Sequence, residues 1–413
     1  MKTYFKKIFA LAFLLTAFLT IIAQSEIIEV SGVVRDAKTR DRVANAAITV
    51  PGTSVGTVTN SDGGFLLKIP QNLKTKEFQI SHISYVVKSV VAADYTQPGK
   101  TILLDPQVVV LSEIMVSPTD ARNIVMKAFE QIQKNYSGIP NKMMGFYRES
   151  IRQRREYISV SEAVVDVYKE PYTNPMNDEV RILKGRKGQN VKKADTLNVM
   201  LQGGPSVLLW IDVAKNPTVG VDLLSIDNYS FSYQQTVQVD DAPNFVIEFR
   251  PAKKLDYPLY YGNIYIQKNN YAITRVEFHL DLSNPKLAAS QFIKRKPAGT
   301  VFVPTETNYL VTFKSQEGKY FLNYMRVDLK FKSDWKRKLF KNNYTISSEM
   351  AITERKQGAI AKIPNSERFK PTMILNNEVS AFFDKEFWGE HNIIEPEHAI
   401  EHAIRKISKK MNN

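Results

Sequence analysis

Between positions 272 and 282 the chain alternates with a period of two. Thr274, Val276, Phe278, Leu280 and Leu282 fall on one side, and Arg275, Glu277, His279 and Asp281 on the other. Successive side chains of a strand point to opposite faces, so this pattern dictates a β-strand with one dry face. Upstream, Gly262, Ile264 and Ile266 read as its hairpin partner across a turn at 268–270. Downstream, Thr305, Thr307, Tyr309, Val311 and Phe313 lead into a turn at 315–319. Phe321, Met325, Val327, Leu329 and Phe331 follow, alternating with Arg326, Asp328, Lys330 and Lys332. Long successive hairpins with one apolar face predict a single curved antiparallel sheet, and that face has to be covered by helices, by its own curl or by a ligand.

Extending the same reading divides the 413 residues into five stretches. These are an export signal at 1–23, a small β-sandwich at 24–106, a linker with an amphipathic helix at 107–140, the curved, half-barrel-like sheet at 141–355, and a C-terminal extension with a terminal helix at 356–413. The fold class expected is therefore mainly β. The signal rests on Lys2, Lys6 and Lys7, an apolar run from 8 to 23, and the small Ala23 before the polar Gln24, Ser25 and Glu26. A single membrane anchor is the other reading of that run. The sandwich rests on short β-rich runs punctuated by Pro51-Gly52 and Asp62-Gly63-Gly64. In the linker helix, at 119–136, Ile124, Val125, Ala128, Phe129 and Ile132 form the apolar stripe. The stripe Ile400, Ala403, Ile404 and Ile407 does the same for the terminal helix from about 397.

The runs Gly32-Val33-Val34-Arg35-Asp36, Ala46-Ala47-Ile48-Thr49-Val50, Gly56-Thr57-Val58-Thr59-Asn60 and Asp62-Gly63-Gly64-Phe65 resemble the carboxypeptidase regulatory-like domain. That resemblance implies a seven-stranded, transthyretin-like sandwich in an envelope setting and brings no catalytic residues. Asn60 departs from the family's usual aspartate, and Ser84-Tyr85 stands where Gly-Tyr is usual. The stretch 108–116 resembles the segment that follows such domains in TonB-dependent receptors, but the remaining chain is too short for a plug and a large barrel. Residues 107–413 resemble envelope proteins in which the same sandwich comes first. The pieces that carry this are Glu162-Ala163, Tyr168-Lys169-Glu170-Pro171-Tyr172, Gly203-Gly204-Pro205 and Phe387-Trp388-Gly389-Glu390. The hairpin at 261–278 is similar to those of periplasmic lipoprotein carriers, whose half-barrel cradles acyl chains.

Composition narrows the chemistry. There are no cysteines, which removes thiol nucleophiles, thiolate metal sites, disulfides and the lipid-bearing cysteine of a bacterial lipoprotein. The formal charge is +14, and loss of 1–23 takes away three lysines and no acids, leaving +11. On an exported protein that balance suits acidic lipid head groups or envelope polysaccharides rather than nucleic acid, or simply keeps the protein soluble. The basic run 184–193 reads as a flexible loop, either solvated or touching anions.

Catalytic signals are sparse. His398, Glu401 and His402 match an H-x-x-E-H pattern that a zinc hydrolase could use. The alternative is a solvent-facing helix. Glu162 and Asp166 share a strand face about 13 Å apart, wider than a glycosidase pair. No nucleophile elbow or phosphate loop is present, so the expectation is a non-catalytic protein with no cofactor. It would sit in the periplasm or at the outer membrane, with peripheral membrane association allowed, and bind a lipid, a lipoprotein, an outer-membrane protein or a glycan. The candidate apolar ligand face comprises Val276, Phe278, Leu280, Val311, Phe313, Val327 and Phe331. The plainer reading, preferred over an open ligand cavity, is that the same residues simply form the core beneath the two helices. A glycan-binding or adhesion role would be favoured by Trp210, Trp335 and Trp388 aligned on one surface.

Overall fold

The computed structural model describes residues 27–73, 77–107, 118–154, 156–189, 203–216, 225–292, 300–335, 342–381, 387–402 and 405. The candidate signal at 1–23, the stretch 108–116, and Ala403, Ile404 and Ile407 of the expected terminal stripe lie outside the described residues.

The chain opens with β1 (Ile27–Asp36), β2 (Ala47–Thr49), β3 (Gly56–Val58), β4 (Gly64–Pro70), β5 (Glu77–His82), β6 (Tyr85–Val91) and β7 (Thr101–Leu104). They form a three-stranded sheet, β4-β1-β7, and a four-stranded sheet, β3-β2-β5-β6. Alternate residues of β1 point inward, so Val30 and Val34 meet Ile48, Phe65, Leu67, Phe78 and Ile80 in one closed core. This is the small sandwich expected from the turn spacing, with the seven strands that the family resemblance implies.

Next come α1 (Pro118–Glu130), α2 (Ile132–Asn135), β8 (Asn141–Gln153), β9 (Glu156–Lys169), β10 (Glu179–Gln189) and α3 (Gly204–Leu208). They are followed by β11 (Tyr229–Val239), β12 (Ala242–Pro251), β13 (Tyr260–Gln267), β14 (Ile273–Leu280) and α4 (Pro285–Phe292). The long strands β15 (Thr300–Gln316), β16 (Lys319–Trp335) and β17 (Asn342–Gln357) precede α5 (Leu375–Glu378) and β18 (Ser380–Ala381). Ten strands pair antiparallel in the order β11-β12-β13-β14-β15-β16-β17-β8-β9-β10, with the two-residue β18 added in parallel to β10. Among the described residues the two outer strands do not pair, so the sheet stays open.

Register carries one apolar row across all ten strands. Tyr233, Ile247, Ile264, Val276, Val311, Met325, Met350, Tyr147, Ala163 and Gly185 are successive cross-strand partners. Cross-strand neighbours on one face touch, so the row is a continuous dry wall. It ends at Gly185 for a steric reason: a Cβ there would stand 2.4 Å from Val379 Cγ1. Covering this face are α1, through buried Ala121, Val125 and Ala128, and the α3 region, through Leu208, Leu209 and Ile211. Ile124, Phe129 and Ile132 complete the helical stripe read from the sequence.

Two sequence expectations are corrected. The basic run 184–193 is not a loop as far as it is described: positions 184–189 belong to β10, paired with β9, and Arg186 lies opposite Glu162. Positions 190–193 lie outside the described residues. Phe321 leaves the face of Met325. The ladder steps from Thr312↔Tyr324 to Phe313↔Leu322, and the extra residue, Asn323, flips everything beyond it to the other side. Leu322 therefore joins the helix-side core, while the Arg355 guanidinium lies over the Phe321 ring at 3.3 Å.

Candidate functional site

The seven residues of the candidate ligand face lie on the helix side of β14, β15 and β16. Val276, Phe278, Val311 and Phe313 are in the main core, and Leu280 is buried beside them. Val327 is half-buried and connects that core to a satellite of Leu329, Phe331 and Ile346. Phe278 stacks on Tyr309, with centroids 4.7 Å apart and planes 10° apart, and Tyr260 meets it edge-on at 5.4 Å. Six of the seven side chains are buried in protein, and Val327 is half-buried.

The opposite face carries a feature that the alternation hides. One row along from the apolar wall, Arg326, Glu349, Arg148, Glu162 and Arg186 are successive partners across five strands, alternating in sign. Each contact in the ladder is an ion pair. Arg326 Nη1 lies 3.3 Å from Glu349 Oε2, and Arg148 Nη1 3.3 Å from Glu349 Oε1. Arg148 Nε donates to Glu162 Oε1 at 2.8 Å, and Arg186 Nε to Glu162 Oε2 at 2.6 Å. Arg148, Glu162, Arg186 and Glu349 are buried. Paired guanidinium groups hold the Glu162 carboxyl below its ordinary range despite burial.

A second ionic knot fills the end of β9. Lys169 Nζ donates to Asp178 Oδ2 at 2.7 Å and Asp212 Oδ2 at 2.6 Å, and Lys215 pairs with the other oxygen of Asp178. The Tyr172 hydroxyl donates to Asp212 Oδ2 at 2.9 Å, and Glu170 is bound by Lys362. Thus the sequence pieces Glu162-Ala163, 168–172 and 387–390 build two buried charge clusters and their surroundings. Gly203-Gly204-Pro205 is the left-handed entry to α3 (φ +90° and +37° at the glycines), secured by Ser206 Oγ donating to Phe369 O.

Glu149 is the exception among the buried carboxylates of the large sheet. On the helix-side face it accepts from the Tyr147 hydroxyl at 2.9 Å and from Ser161, and among the described residues it has no ion pair. Burial pushes its pKa up to about 7. The folded protein then holds a proton that the unfolded chain, titrating near 4.5, releases. Its contribution is complete below about pH 4.5 and is lost as pH rises towards 7. Glu149→Gln should accordingly raise stability relative to the parent by about 3 kcal/mol at pH 8 and change it little at pH 4.5. Urea titrations at the two pH values measure this, and an equal effect at both would refute it.

The catalytic alternatives do not assemble. Glu162 is held by two arginines, while Asp166 takes Arg181 Nη2 at 2.7 Å and Lys142 at 3.3 Å. Positions 398–402 are helical as expected, but Glu401 pairs with Arg405, and the His398 amide donates to Asp62 Oδ2 at 3.1 Å. Among the described residues no three His, Asp or Glu side chains converge as a metal site would require. The two tryptophans whose side chains are described do not share a surface. Trp388 is buried edge-on to Phe146 at 5.2 Å, Trp210 is exposed, and the Trp335 side chain lies outside the described residues.

Residues 387–402 lie between the sandwich and the charged face. Trp388, Ile393 and Ile394 pack with Val58, Phe146, Val164, Tyr324 and Ala351, and Arg148 Nη2 donates to Ile394 O at 2.6 Å. Thr57 Oγ1 donates to Ile393 O at 2.7 Å. The Asn392 amide closes a reciprocal pair with the backbone of Lys68, capping the sandwich edge. Asn60 explains its own departure from aspartate. Its Oδ1 accepts from the Asp62 and Gly64 amides, as an aspartate would, while its Nδ2 donates to Glu395 O at 3.0 Å, as an aspartate cannot. Gly63, with φ +76° and Val34 O at 2.5 Å from any Cβ, closes the turn. Residues 30–116 match the CarboxypepD_reg-like domain family model.

The CarboxypepD_reg-like domain is thus joined to the large sheet through its Gly56–Asp62 side, and Ser54 exchanges hydrogen bonds with the Arg355 backbone (2.9 and 3.0 Å). No curated protein matches the chain. Among solved structures, a domain from Vibrio parahaemolyticus assigned to outer-membrane lipoprotein sorting is similar at 10% identity and TM-score 0.28, covering 60% of this chain and 95% of its own. A DUF1329 family protein from Desulfovibrio piger is similar at 11% identity and TM-score 0.25, covering 60% and 96%. Among the described residues no helix is long and apolar enough to cross a membrane.

Sequence reasoning found the apolar wall and missed the charge ladder. The signal was partial: Arg326 and Glu349 occupy the polar phase of their strands, whereas Glu162 shares its phase with Val160, Val164 and Tyr168 and Arg148 with Met144 and Phe146. Only register reveals that their signs alternate between neighbours.

Proposed function

We propose that this is a non-catalytic, exported envelope protein with a binding or assembly role at the periplasmic side or the outer membrane, and that its apolar sheet face takes an acyl chain of a lipid or lipoprotein. The observation that carries the reading is the unbroken apolar row across ten strands, covered by short helices instead of a second sheet. Where that layer meets the sheet the contact is apolar, so an acyl chain can replace it with the same chemistry. Val276, Phe278, Leu280, Val311, Phe313, Val327 and Phe331 form the wall against which the chain lies. The CarboxypepD_reg-like domain, held by the 387–402 segment, is a rigid spacer or docking module on the far side.

Native mass spectrometry of protein purified from its own envelope tests this. The expected species is a mature chain beginning at Gln24 and carrying a lipid-sized adduct that organic extraction removes. Preparations that remain lipid-free, or a product retaining 1–23 in the cytosol, would refute it.

A further inference from the structure

A cleft of about 270 Å³ opens where the 49–54 loop and the β5–β6 face of the CarboxypepD_reg-like domain meet the ends of β15, β16 and β17. Two cations line it. Lys314 Nζ donates to Thr49 Oγ1 at 3.1 Å. The Arg355 guanidinium binds Gln316 Oε1, lies 3.4 Å from Asn141 Oδ1, and covers the Phe321 ring. Among the described residues neither has a carboxylate within ion-pair distance, although nearly every other buried or half-buried arginine of this sheet does. Burial drives the Arg355 pKa down to about 10, with Glu317 opposing only from a distance. A half-buried cation whose partners are neutral amides is costly unless an anion joins it.

The remaining walls are rich in hydroxyl and amide groups, including Gln79, Ser81 and Asn323, and exposed Asp240 and Asp241 stand at the rim. Rim carboxylates repel a small, highly charged anion, yet they accept hydrogen bonds from ring hydroxyls. We infer that this interdomain cleft binds an anionic saccharide, with its acidic group on Arg355 and Lys314 and its hydroxyls on the amides and the rim aspartates. A uronate and a sugar phosphate share that chemistry. The cleft lies at the ends of the strands, contains none of the seven candidate residues of the apolar face, and borrows only Leu322 and Ile352 from the helix-side core.

Isothermal titration of the full mature chain with digalacturonate, glucose 6-phosphate, the neutral methyl ester of digalacturonate, and inorganic phosphate tests the inference. At least one acidic sugar is expected to bind at least tenfold more tightly than both the methyl ester and inorganic phosphate, and which one identifies the source. Lys314→Gln, which removes only the Thr49 contact, should weaken that binding at least tenfold with an unchanged melting temperature. Arg355→Gln should do the same where its melt shows it folded. Failure of both acidic sugars to bind, phosphate binding as tightly as the sugars, or Lys314→Gln binding like the parent would each overturn it.

Discussion

Lys169→Met should lower unfolding free energy by about 3–5 kcal/mol, although methionine matches the length and apolar character of the lysine stem. The four charges of the knot balance in the folded chain: Lys169 and Lys215 against Asp178 and Asp212, all buried. Removing Lys169 leaves two buried carboxylates around one ammonium, and Asp212 retains only the Tyr172 hydroxyl among the partners of Oδ2. An uncompensated buried charge is costlier than the pair was favourable, and that asymmetry produces the loss. The double variant Lys169→Met with Asp212→Asn should recover a substantial part of it, because it removes the stranded charge along with its partner. Urea denaturation of the three proteins measures both. A Lys169→Met loss below about 1 kcal/mol would show that the knot is wet and weak.

Phe278→Ala should cost a similar amount, about 3–5 kcal/mol, through a different mechanism. The ring is fully buried, stacked on Tyr309, edge-on to Tyr260, and paired across the strands with Gly262 and Tyr309. Gly262 offers no relief, because its position lies 2.0 Å (measured at a Cβ) from Glu277 O and cannot be filled from that side. The truncated site therefore keeps a cavity, and the loss combines lost transfer with unfilled volume. The comparison should be made on delipidated protein. A cost below about 1.5 kcal/mol would mean that the wall around Phe278 is open in solution rather than packed, since only the transfer of a partly solvated ring would then be lost.

Much of this fold was legible because β-structure writes its geometry into the chain at short range. The alternation at 272–282 and 305–331 located β14, β15 and β16, and Asp62-Gly63-Gly64 located a turn of the sandwich. The stripe at 124–132 located the helix that covers the apolar wall. The error at Phe321 has the same origin, because one inserted residue, invisible to a two-residue period, reverses every face beyond it. The basic run at 184–189 was misread because lysine and glycine suggest a solvated loop, whereas here Gly185 is required by Val379 and Arg186 by Glu162.

By itself, the order of residues determined which side chains could be dry and where the chain had to turn, since both follow from local dihedral preferences and the period of a strand. It did not determine what the polar side of the sheet would face. Arg148, Glu162, Arg186, Arg326 and Glu349 are far apart in the chain and look solvent-exposed one strand at a time. Register made them a ladder of opposite charges, and the docked sandwich with the 387–402 segment took most of them out of water. The free energy of an ion depends on its distance to other ions and to solvent, quantities that only the assembled tertiary structure supplies.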